Sequence, residues 1–201
     1  IDRAIVSQAL VAMESFTRKY PQLNFHLNAN ASGLSLKDAS FFDFIEGKLK
    51  NVTFPTDRFT LEITEDVLME NLGEARGRLE KLKKLNISVA LDDFGTGYSS
   101  LQYISQLPVD SLKIDRSFID QVLKSRKTAS LVKSVIEMAR SLNLGIVAEG
   151  IETKDQNQWL AEYNVAGQGF FFSMPLSMEK ADEFLKDVSV FAELIKEMPQ
   201  P

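Results

Sequence analysis

The stretch ALDDFGTGYSS, residues 90 to 100, places two adjacent aspartates at the end of an apolar run and two glycines soon after them. Two neighbouring carboxylates repel each other, and successive side chains of a regular strand point to opposite faces. The pattern therefore predicts that Asp92 and Asp93 stand where a strand breaks into a loop. A divalent cation that both carboxylates reach would relieve the repulsion.

Strand-like and helix-like segments alternate along the chain on both sides of this stretch. Alternating polar and apolar residues, or short apolar runs, predict strands over 24–32, 59–65, 87–93, 111–115 and 145–151, with a short buried strand near 168–172. Between them lie amphipathic helices, among them one near 127–142 whose core stripe is predicted to be Leu131, Val135, Ala139 and Leu142. This order predicts an α/β fold with a parallel sheet, either doubly wound or closed as a (β/α)8 barrel of the TIM type.

The residues at the ends of the predicted strands favour the barrel. Successive apolar runs end in a polar residue that can take part in chemistry, namely Asn30, Glu62, Asp92 with Asp93, Lys113, and Glu149. In a (β/α)8 barrel the carboxyl ends of all strands converge on one face, where active sites lie. An open sheet would instead spread these residues along a line.

Carboxylates and one amide oxygen, from Asn30, are ligands suited to Mg²⁺ or Mn²⁺. The chain has no cysteine, and its one histidine is His26, so a zinc site is not expected. Two metal ions roughly 3.5–4 Å apart commonly serve the hydrolysis of phosphoesters. In that arrangement Asp92 could bridge two ions and Asp93 could bind the second, while Lys113 orients or activates the attacking water or stabilises charge on phosphate.

Composition excludes several other classes of protein. The formal net charge is −5 and the sequence pI is about 5.1, which disfavours binding of a nucleic-acid polymer. No apolar run in this piece approaches the length of a membrane span, so we expect a cytoplasmic domain, although a parent protein could be anchored to a membrane elsewhere. Gly95 and Gly97 do not complete a dinucleotide-binding motif, because Ser100 occupies the position of its third glycine.

The same residues lie within a set of motifs that resembles the EAL domain family of cyclic di-GMP phosphodiesterases. The motifs occur in family order from the first helix to the last part of the chain: NAS (30–32), LEITE (61–65), LDDFGTGYSSL (91–101), LKIDRSFI (112–119), VAEGIE (147–152) and GQGFFFSMPL (167–176). The resemblance implies a (β/α)8 barrel that hydrolyses cyclic di-GMP to linear pGpG with Mg²⁺ or Mn²⁺, and with two ions.

The resemblance also implies roles for individual residues. It gives Asn30, Glu62 and Asp92 as ligands of one metal and Asp92, Asp93 and Glu149 as ligands near the second. It gives Lys113, together with Asp93 and Glu149, as the catalytic group that handles the attacking water. It further implies that Glu65 and Glu152 anchor the DDFGTGYSS loop, and that Asp115, Gln168 and Pro175 line the substrate site.

One departure from the family pattern concerns the start of the chain. The family's Glu-Ala-Leu motif lies on an early strand, and by the family's plan this chain starts on the helix that follows that motif. We therefore expect residues 1–201 to form a single EAL domain that is incomplete at its N-terminus and lacks the first two barrel strands. Taken alone, this piece is expected to be inactive, because an open barrel has unpaired strand edges and one metal would lack a ligand.

Two alternatives to a phosphodiesterase remain at this stage. One is a catalytically inactive cyclic di-GMP receptor that acts through protein partners, and the other is a different metal-dependent barrel enzyme, such as a lyase. The intact acids and the intact loop motif favour the phosphodiesterase. For the complete protein we expect a homodimer, and sensory or GGDEF-type domains can accompany the barrel.

Overall fold

The computed structural model describes residues 1–69, 72–95 and 104–186. Contacts between Cα atoms divide the chain into two compact units, Ile1–Asp110 and Ser111–Pro201. Each unit contains a parallel sheet with helices in the connections between its strands. Among the described residues, no helix combines the length and the hydropathy needed to cross a lipid bilayer.

The first unit has three parallel strands in the order β1-β2-β3. The strands are β1 (Leu27–Asn30), β2 (Phe59–Thr64) and β3 (Ser88–Phe94). The helices are α1 (Asp2–Lys19), α2 (Gly33–Lys37), α3 (Ala39–Leu49), α4 (Glu65–Met69) and α5 (Leu72–Lys84), with a 3₁₀ turn at Thr56–Arg58. The strands predicted near 24–32, 59–65 and 87–93 are therefore confirmed.

The sheet of the first unit has one apolar face and one polar face, because side chains alternate along each strand. On the apolar face, Phe59, Leu61 and Ile63 of β2 are completely buried. Helices α1 and α5 contact β1 and β3 and contribute the buried residues Val6, Leu10, Met13, Ala75, Leu79 and Leu82. The helical layer thus holds the hydrophobic core and leaves the opposite face of the sheet for polar side chains.

Side-chain caps join the first helices of this unit. Ser32 caps α2 and its N–H donates to the Asp2 carboxylate at 2.8 Å, while Asp38 caps α3 by accepting from the Ser40 N–H at 2.9 Å. The Ser40 hydroxyl and N–H, together with the Arg3 guanidinium, hold the pKa of Asp38 below its usual value. Burial by itself would raise the pKa of Asp2, but hydrogen bonds from Ser32 lower it overall.

The second unit has the parallel strand order β4-β5-β6. Its strands are β4 (Ser111–Ile114), β5 (Gly145–Ala148) and β6 (Ala166–Gly167), and its helices are α6 (Arg116–Ile119), α7 (Arg126–Ser141), α8 (Lys154–Ala161) and α9 (Met178–Lys186). Ser125 caps α7, and a capping box formed by Thr153 and Gln156 begins α8. The apolar core of this unit comprises Ile114, Ile119, Val122, Val132, Ile136, Ala148, Ile151, Leu160 and Val165.

The core stripe predicted for the helix near 127–142 is confirmed at Ala139, which is buried, and at Val135, which packs against the core, but is wrong at Leu131. Leu131 is 48% exposed, whereas its neighbour Val132 is 1% exposed. The buried side chains of α7 are Val132, Ile136 and Ala139. Both stripes are apolar in the sequence, and contact with β4 and β5 selects the one that faces the core.

The short strand predicted near 168–172 is also wrong. The strand of this region is β6, which ends at Gly167, and the aromatic residues that follow lie in a turn. Phe171 N–H donates to the Ile151 carbonyl oxygen at 2.9 Å, so the chain folds over Ile151 instead of extending along β5. Gly169 permits this approach, because a Cβ atom at that position would lie 2.1 Å from the same oxygen. Phe170 consequently remains 50% exposed.

In three of the connections from a helix to the next strand, an asparagine in the left-handed conformation follows the end of the helix. Asn86, Asn143 and Asn164 have φ values of 56°, 58° and 49°. After the first two of these residues the next N–H returns to the helix, with Ile87 donating to Leu82 at 3.3 Å and Leu144 donating to Ala139 at 2.9 Å. Such bonds satisfy helix carbonyls that would otherwise lack a donor, and asparagine tolerates the conformation better than most residues.

Candidate active site

The first unit gathers three of the predicted metal ligands on the polar face of its sheet. The strand register pairs Asn30 with Glu62 and Thr64 with Asp92. Paired residues of parallel strands share a face, and so do residues two apart on one strand. Asn30, Glu62 and Asp92 therefore lie on the same face, at the carboxyl ends of β1, β2 and β3.

Two of these three side chains are buried. Glu62 is 6% exposed and Asp92 is 9% exposed, while Asn30 is exposed. Carboxylates that are withdrawn from water on one face are costly unless positive charge or hydrogen bonds balance them. Their oxygen atoms, with the amide oxygen of Asn30, form a hard donor set that fits Mg²⁺ or Mn²⁺.

Asp93 does not continue the regular strand. Its φ is +54°, and its N–H donates to Asp92 Oδ1 at 3.1 Å. Gly95, two residues later, has a φ of +96°. A carboxylate oxygen of Asp93 lies within 4.8 Å of one of Asp92. The predicted break in regular strand geometry occurs at Asp93, but β3 continues to Phe94, so the strand does not end at the aspartate pair.

Glu65 is the first residue of α4, immediately after β2, and is 6% exposed. Residues 96–103, which include most of the DDFGTGYSS loop that Glu65 was expected to anchor, lie outside the described residues. The anchoring role of Glu65 therefore stays a prediction.

The second unit contains a buried ion pair between two of the predicted catalytic residues. Lys113 Nζ lies 2.6 Å from Glu149 Oε1, and the two side chains are 3% and 19% exposed. Lys113 is on β4, in register with Val147 of β5, and Glu149 follows the end of β5. The Glu149 N–H donates to the Ile114 carbonyl oxygen at 3.0 Å, which fixes the backbone on which the carboxylate is mounted.

Asp115 has a structural role as well as the predicted substrate role. Its Oδ1 accepts the Ser117 N–H at 3.0 Å and caps α6. The side chain is half-buried at the carboxyl end of β4, two residues after Lys113. A contact with a substrate stays a prediction.

Glu152 forms an ion pair with Arg116, whose Nη2 lies 2.5 Å from Glu152 Oε1. The aliphatic stem of Arg116 also packs on Gly150, where an added Cβ would lie 2.3 Å from Arg116 Cγ. Gly150 has a φ of +71°, which ends β5 earlier than the strand predicted over residues 145–151. The side chain of Glu152 thus pairs with Arg116. Its role in anchoring the loop stays a prediction.

Gln168 follows β6 and has both backbone groups paired. Its N–H donates to Ala148 at 2.8 Å, and its carbonyl oxygen accepts the Ile151 N–H at 3.1 Å. Its side chain is exposed and lines a shallow cavity of about 210 Å³ together with Arg116, Glu149, Gly150, Glu152, Gly169 and Phe170. Pro175 is exposed further along the chain. The cavity therefore brings Gln168 and Glu149 to one surface of this unit.

Sequence reasoning missed two residues that contact the predicted site. Asn28 Nδ2 donates to Glu62 Oε1 at 2.8 Å, and Arg116 binds Glu152. The alternation of β1 places Asn28 on the same face as Asn30, so the strand period could have indicated the first of them. Nothing in the spacing of the sequence indicates the pairing of Arg116 with Glu152.

Comparison with known proteins identifies the family. The EAL domain family model matches residues 1–175. Cyclic di-GMP phosphodiesterase NbdA of Pseudomonas aeruginosa is 40% identical over 168 residues, which make up 83% of this chain and 21% of the relative. The chain thus spans about a fifth of the length of that curated relative.

Solved structures of EAL domains share the fold. The PaMucR phosphodiesterase in complex with c-di-GMP superposes with a TM-score of 0.83 at 31% identity, covering 89% of this chain and 72% of the other. The EAL domain of Mycobacterium smegmatis DcpA gives 0.85 at 32% identity, covering 92% and 84%. A manganese/cy-diGMP complex of Klebsiella pneumoniae BlrP1 gives 0.77 at 26% identity, covering 87% and 44%.

These structures confirm the predicted fold class, because EAL domains are α/β barrels of the TIM type. Six strands of such a barrel lie among the residues that the structure describes. The motifs, the arrangement of the acids and lysine within each unit, and the family match agree with one another. The chain belongs to the EAL domain family.

Proposed function

We propose that this chain forms part of a phosphodiesterase that hydrolyses cyclic di-GMP to linear pGpG. The observation that carries the proposal is the buried pair of Lys113 and Glu149, with Nζ and Oε1 2.6 Å apart at the carboxyl ends of neighbouring strands. A buried lysine and carboxylate cost free energy through desolvation, and functional sites are where proteins commonly retain them. The names of NbdA and of the PaMucR complex support this substrate.

The proposed cofactors are divalent cations, Mg²⁺ or Mn²⁺, with two ions per site. Asn30, Glu62 and Asp92 would hold one ion, and Asp92, Asp93 and Glu149 would hold the second. When bound, such ions activate water and neutralise charge on a phosphate. Support comes from the oxygen donors on one face of the first unit's sheet and from the manganese named with cy-diGMP in the BlrP1 structure.

In the proposed reaction the oxygen of a water molecule bonds to one phosphorus atom of the cyclic dinucleotide. The bond from that phosphorus to the ribose 3′ oxygen breaks, and the 3′ oxygen takes a proton, which leaves pGpG with a 5′ phosphate. Asp93 and Glu149 accept hydrogen bonds from the water and orient it. Lys113 donates a hydrogen bond from its ammonium group to the water or to a phosphate oxygen.

The remaining predicted roles form part of the same proposal. Asp115, Gln168 and Pro175 contact the dinucleotide, and Glu65 and Glu152 anchor the loop after Asp93. The complete protein works in the cytoplasm as a homodimer, with a sensory or GGDEF-type domain on the same chain. One relative in which a second activity accompanies an EAL domain is MucR of Pseudomonas aeruginosa, whose name gives a bifunctional diguanylate cyclase and cyclic di-GMP phosphodiesterase.

The test is to purify the complete protein that contains this chain and to follow cyclic di-GMP and pGpG by liquid chromatography with added Mg²⁺ or Mn²⁺. We expect pGpG to accumulate, and excess chelator to stop the reaction. Binding of cyclic di-GMP without turnover, by a protein that is folded and loaded with metal, would instead identify a receptor. Lys113→Met is the matched variant, since it removes the ammonium group while keeping the length of the side chain.

A further inference from the structure

We infer that Asn28 is a positioning residue for the Glu62 carboxylate and that it sets the affinity of the site for a divalent cation. This inference rests on the proposed function, because it assumes that Glu62 is a metal ligand. Asn28 lies outside the set of residues that the family motifs point to, since the NAS motif begins two residues later.

The geometry that supports the inference is a direct hydrogen bond. Asn28 Nδ2 donates to Glu62 Oε1 at 2.8 Å, across the neighbouring strands β1 and β2. The register pairs Asn30 with Glu62 and Asn28 with Thr60, so Asn28 is one strand repeat further from the carboxyl end of the sheet. A hydrogen bond from that direction holds Glu62 Oε1 toward the amino end of the strand and so fixes the orientation of the carboxylate group.

A backbone hydrogen bond also holds Glu62 in place. The Ala31 N–H donates to the Glu62 carbonyl oxygen at 2.9 Å. The Glu62 side chain is 6% exposed, and a buried carboxylate is held where its hydrogen-bond donors are. Asn28 therefore restricts the rotation of the carboxylate, while the backbone restricts the position of its Cα atom.

The chemistry of the donor is important in this position. An amide N–H is neutral, so it orients the carboxylate without removing the negative charge that attracts a cation. A lysine or arginine in its place would compete with the cation for that charge. Residues that hydrogen-bond to metal-ligating carboxylates commonly change metal affinity or activity by 10–100-fold when they are replaced.

The experiment measures Mn²⁺ binding to the complete protein without nucleotide, by electron paramagnetic resonance of free Mn²⁺ and by calorimetry. Asn28→Leu keeps the shape of the side chain and removes the donor, and we expect the dissociation constant of the tighter ion to rise about tenfold. The control is Asn51→Leu, because Asn51 Nδ2 donates to the Gly47 carbonyl oxygen in the exposed last turn of α3. This control should leave the constant unchanged.

Kinetics provide a second readout that a purely structural role would not change. In Asn28→Leu the Mn²⁺ concentration for half activation should rise in parallel with the dissociation constant, while kcat at saturating Mn²⁺ and KM for cyclic di-GMP stay near the wild-type values. If Asn28→Leu does not fold, as judged by circular dichroism, Asn28→Ala is measured in its place.

Mn²⁺ affinity within twofold of wild type in a folded variant would overturn the inference, and so would absence of Mn²⁺ binding by the wild-type protein. Failure of the proposed function gives a different result. In that case the wild-type protein binds Mn²⁺ but produces no pGpG, and the titration of Asn28→Leu still decides the role of Asn28.

Discussion

The two units of the chain handle the charge of their site residues differently. The first unit places Glu62 and Asp92 on one face of its sheet, with Asp93 near the end of the same strand, β3. The second unit places its one predicted metal-ligating carboxylate, Glu149, 2.6 Å from the ammonium group of Lys113. The predicted site residues of the first unit are thus acids and one amide, whereas those of the second unit include a lysine.

This difference implies different responses to mutation. Neutralising Asp92 removes its repulsion with Asp93, whose carboxylate lies within 4.8 Å, so the metal-free protein should lose less stability than it does when the lysine of the second unit is removed. Removing the lysine of the second unit leaves a carboxylate in a poorly hydrated place, so stability and function should fall together. Variants of this protein can therefore show whether its site residues lower or raise the stability of the folded state.

The largest effect is expected for Asp92→Asn. The amide keeps the size of the side chain and an oxygen that can still accept the Asp93 N–H, but it lacks the charge of the proposed bridging ligand. We expect turnover of cyclic di-GMP to fall by at least about a thousandfold, in line with the several kcal/mol that metal ions contribute to such reactions. Turnover and Mn²⁺ binding are measured in the complete protein.

The same variant tests the first half of the comparison. In chelator, the midpoint of thermal unfolding of Asp92→Asn should fall by less than that of Lys113→Met, because the change removes a like charge beside Asp93. A drop in the midpoint as large as that of Lys113→Met, or full turnover by the variant, would show that Asp92 does not act as proposed.

The next largest effect is expected for Lys113→Met, which leaves Glu149 without its positive partner. We expect the free energy of unfolding to fall by about 3–5 kcal/mol and activity to be lost. Chemical denaturation of the complete protein provides the measurement. The double variant Lys113→Met/Glu149→Gln should recover part of the stability, although not the activity, since residue 149 then carries no charge.

The matched control for this prediction is Lys83→Met. Lys83 Nζ also lies 2.6 Å from a carboxylate oxygen, that of Asp110, but the two side chains are 36% and 38% exposed. Solvent screens such a pair, so the expected loss is below about 1 kcal/mol. Equal losses for the two lysine variants would contradict the idea that burial makes the pair of the second unit special.

A smaller effect is expected from alanine at two glycines, one in each unit. Gly169→Ala places a Cβ 2.1 Å from the Ile151 carbonyl oxygen, whereas a Cβ at Gly77 meets nothing within 4 Å. The first change should destabilise the protein by about 1–3 kcal/mol through forced backbone movement. Gly77→Ala, inside α5, should stabilise it by roughly 0.5–1 kcal/mol. Denaturant titrations of both variants compare how tightly the backbone is packed at these two places, and a neutral Gly169→Ala would refute the close approach.

The smallest effect concerns acid. Because the folded protein holds the pKa of Asp38 below its ordinary value of 3.8, ionised Asp38 stabilises the fold above that pH. The contribution is lost as the pH falls below about 3.8, when the carboxyl group takes up a proton in the folded state as well. Asp38→Asn should therefore lower the unfolding midpoint slightly at pH 6 and show a flatter pH dependence below pH 4. The same slope in both proteins would indicate that other acids control the response.

The sequence predicts the architecture well because its signals are local or periodic. The polar residues at strand ends, from Asn30 to Glu149, mark the carboxyl ends of the strands correctly in both units. The repulsion between Asp92 and Asp93 predicts a break in the strand, and the φ of +54° at Asp93 shows it. These inferences need only the period of a strand and the sign of a charge.

The errors arise where two local patterns are equally apolar or where a distant contact decides. In α7 the stripes that contain Leu131 and Val132 are both apolar, and only packing against the sheet selects one of them. The aromatic run after Gly169 has the composition of a strand, but the Phe171 N–H donates to the carbonyl oxygen of Ile151, which is 20 residues earlier in the chain. The strand period places Asn28 on the face of Asn30, but its partner Glu62 is 34 positions away and is set by the register of β1 and β2.

The left-handed asparagines have a consequence for how the chain acquires its structure. Each of Asn86, Asn143 and Asn164 marks the end of a helix through contacts within a few residues, with no need for a strand partner. During synthesis on the ribosome, such helix ends can form as soon as the segment leaves the exit tunnel. We expect these helix ends to form before the strands pair. The pairing of the strands, which is non-local and slow, then starts from helices that already end at their native residues.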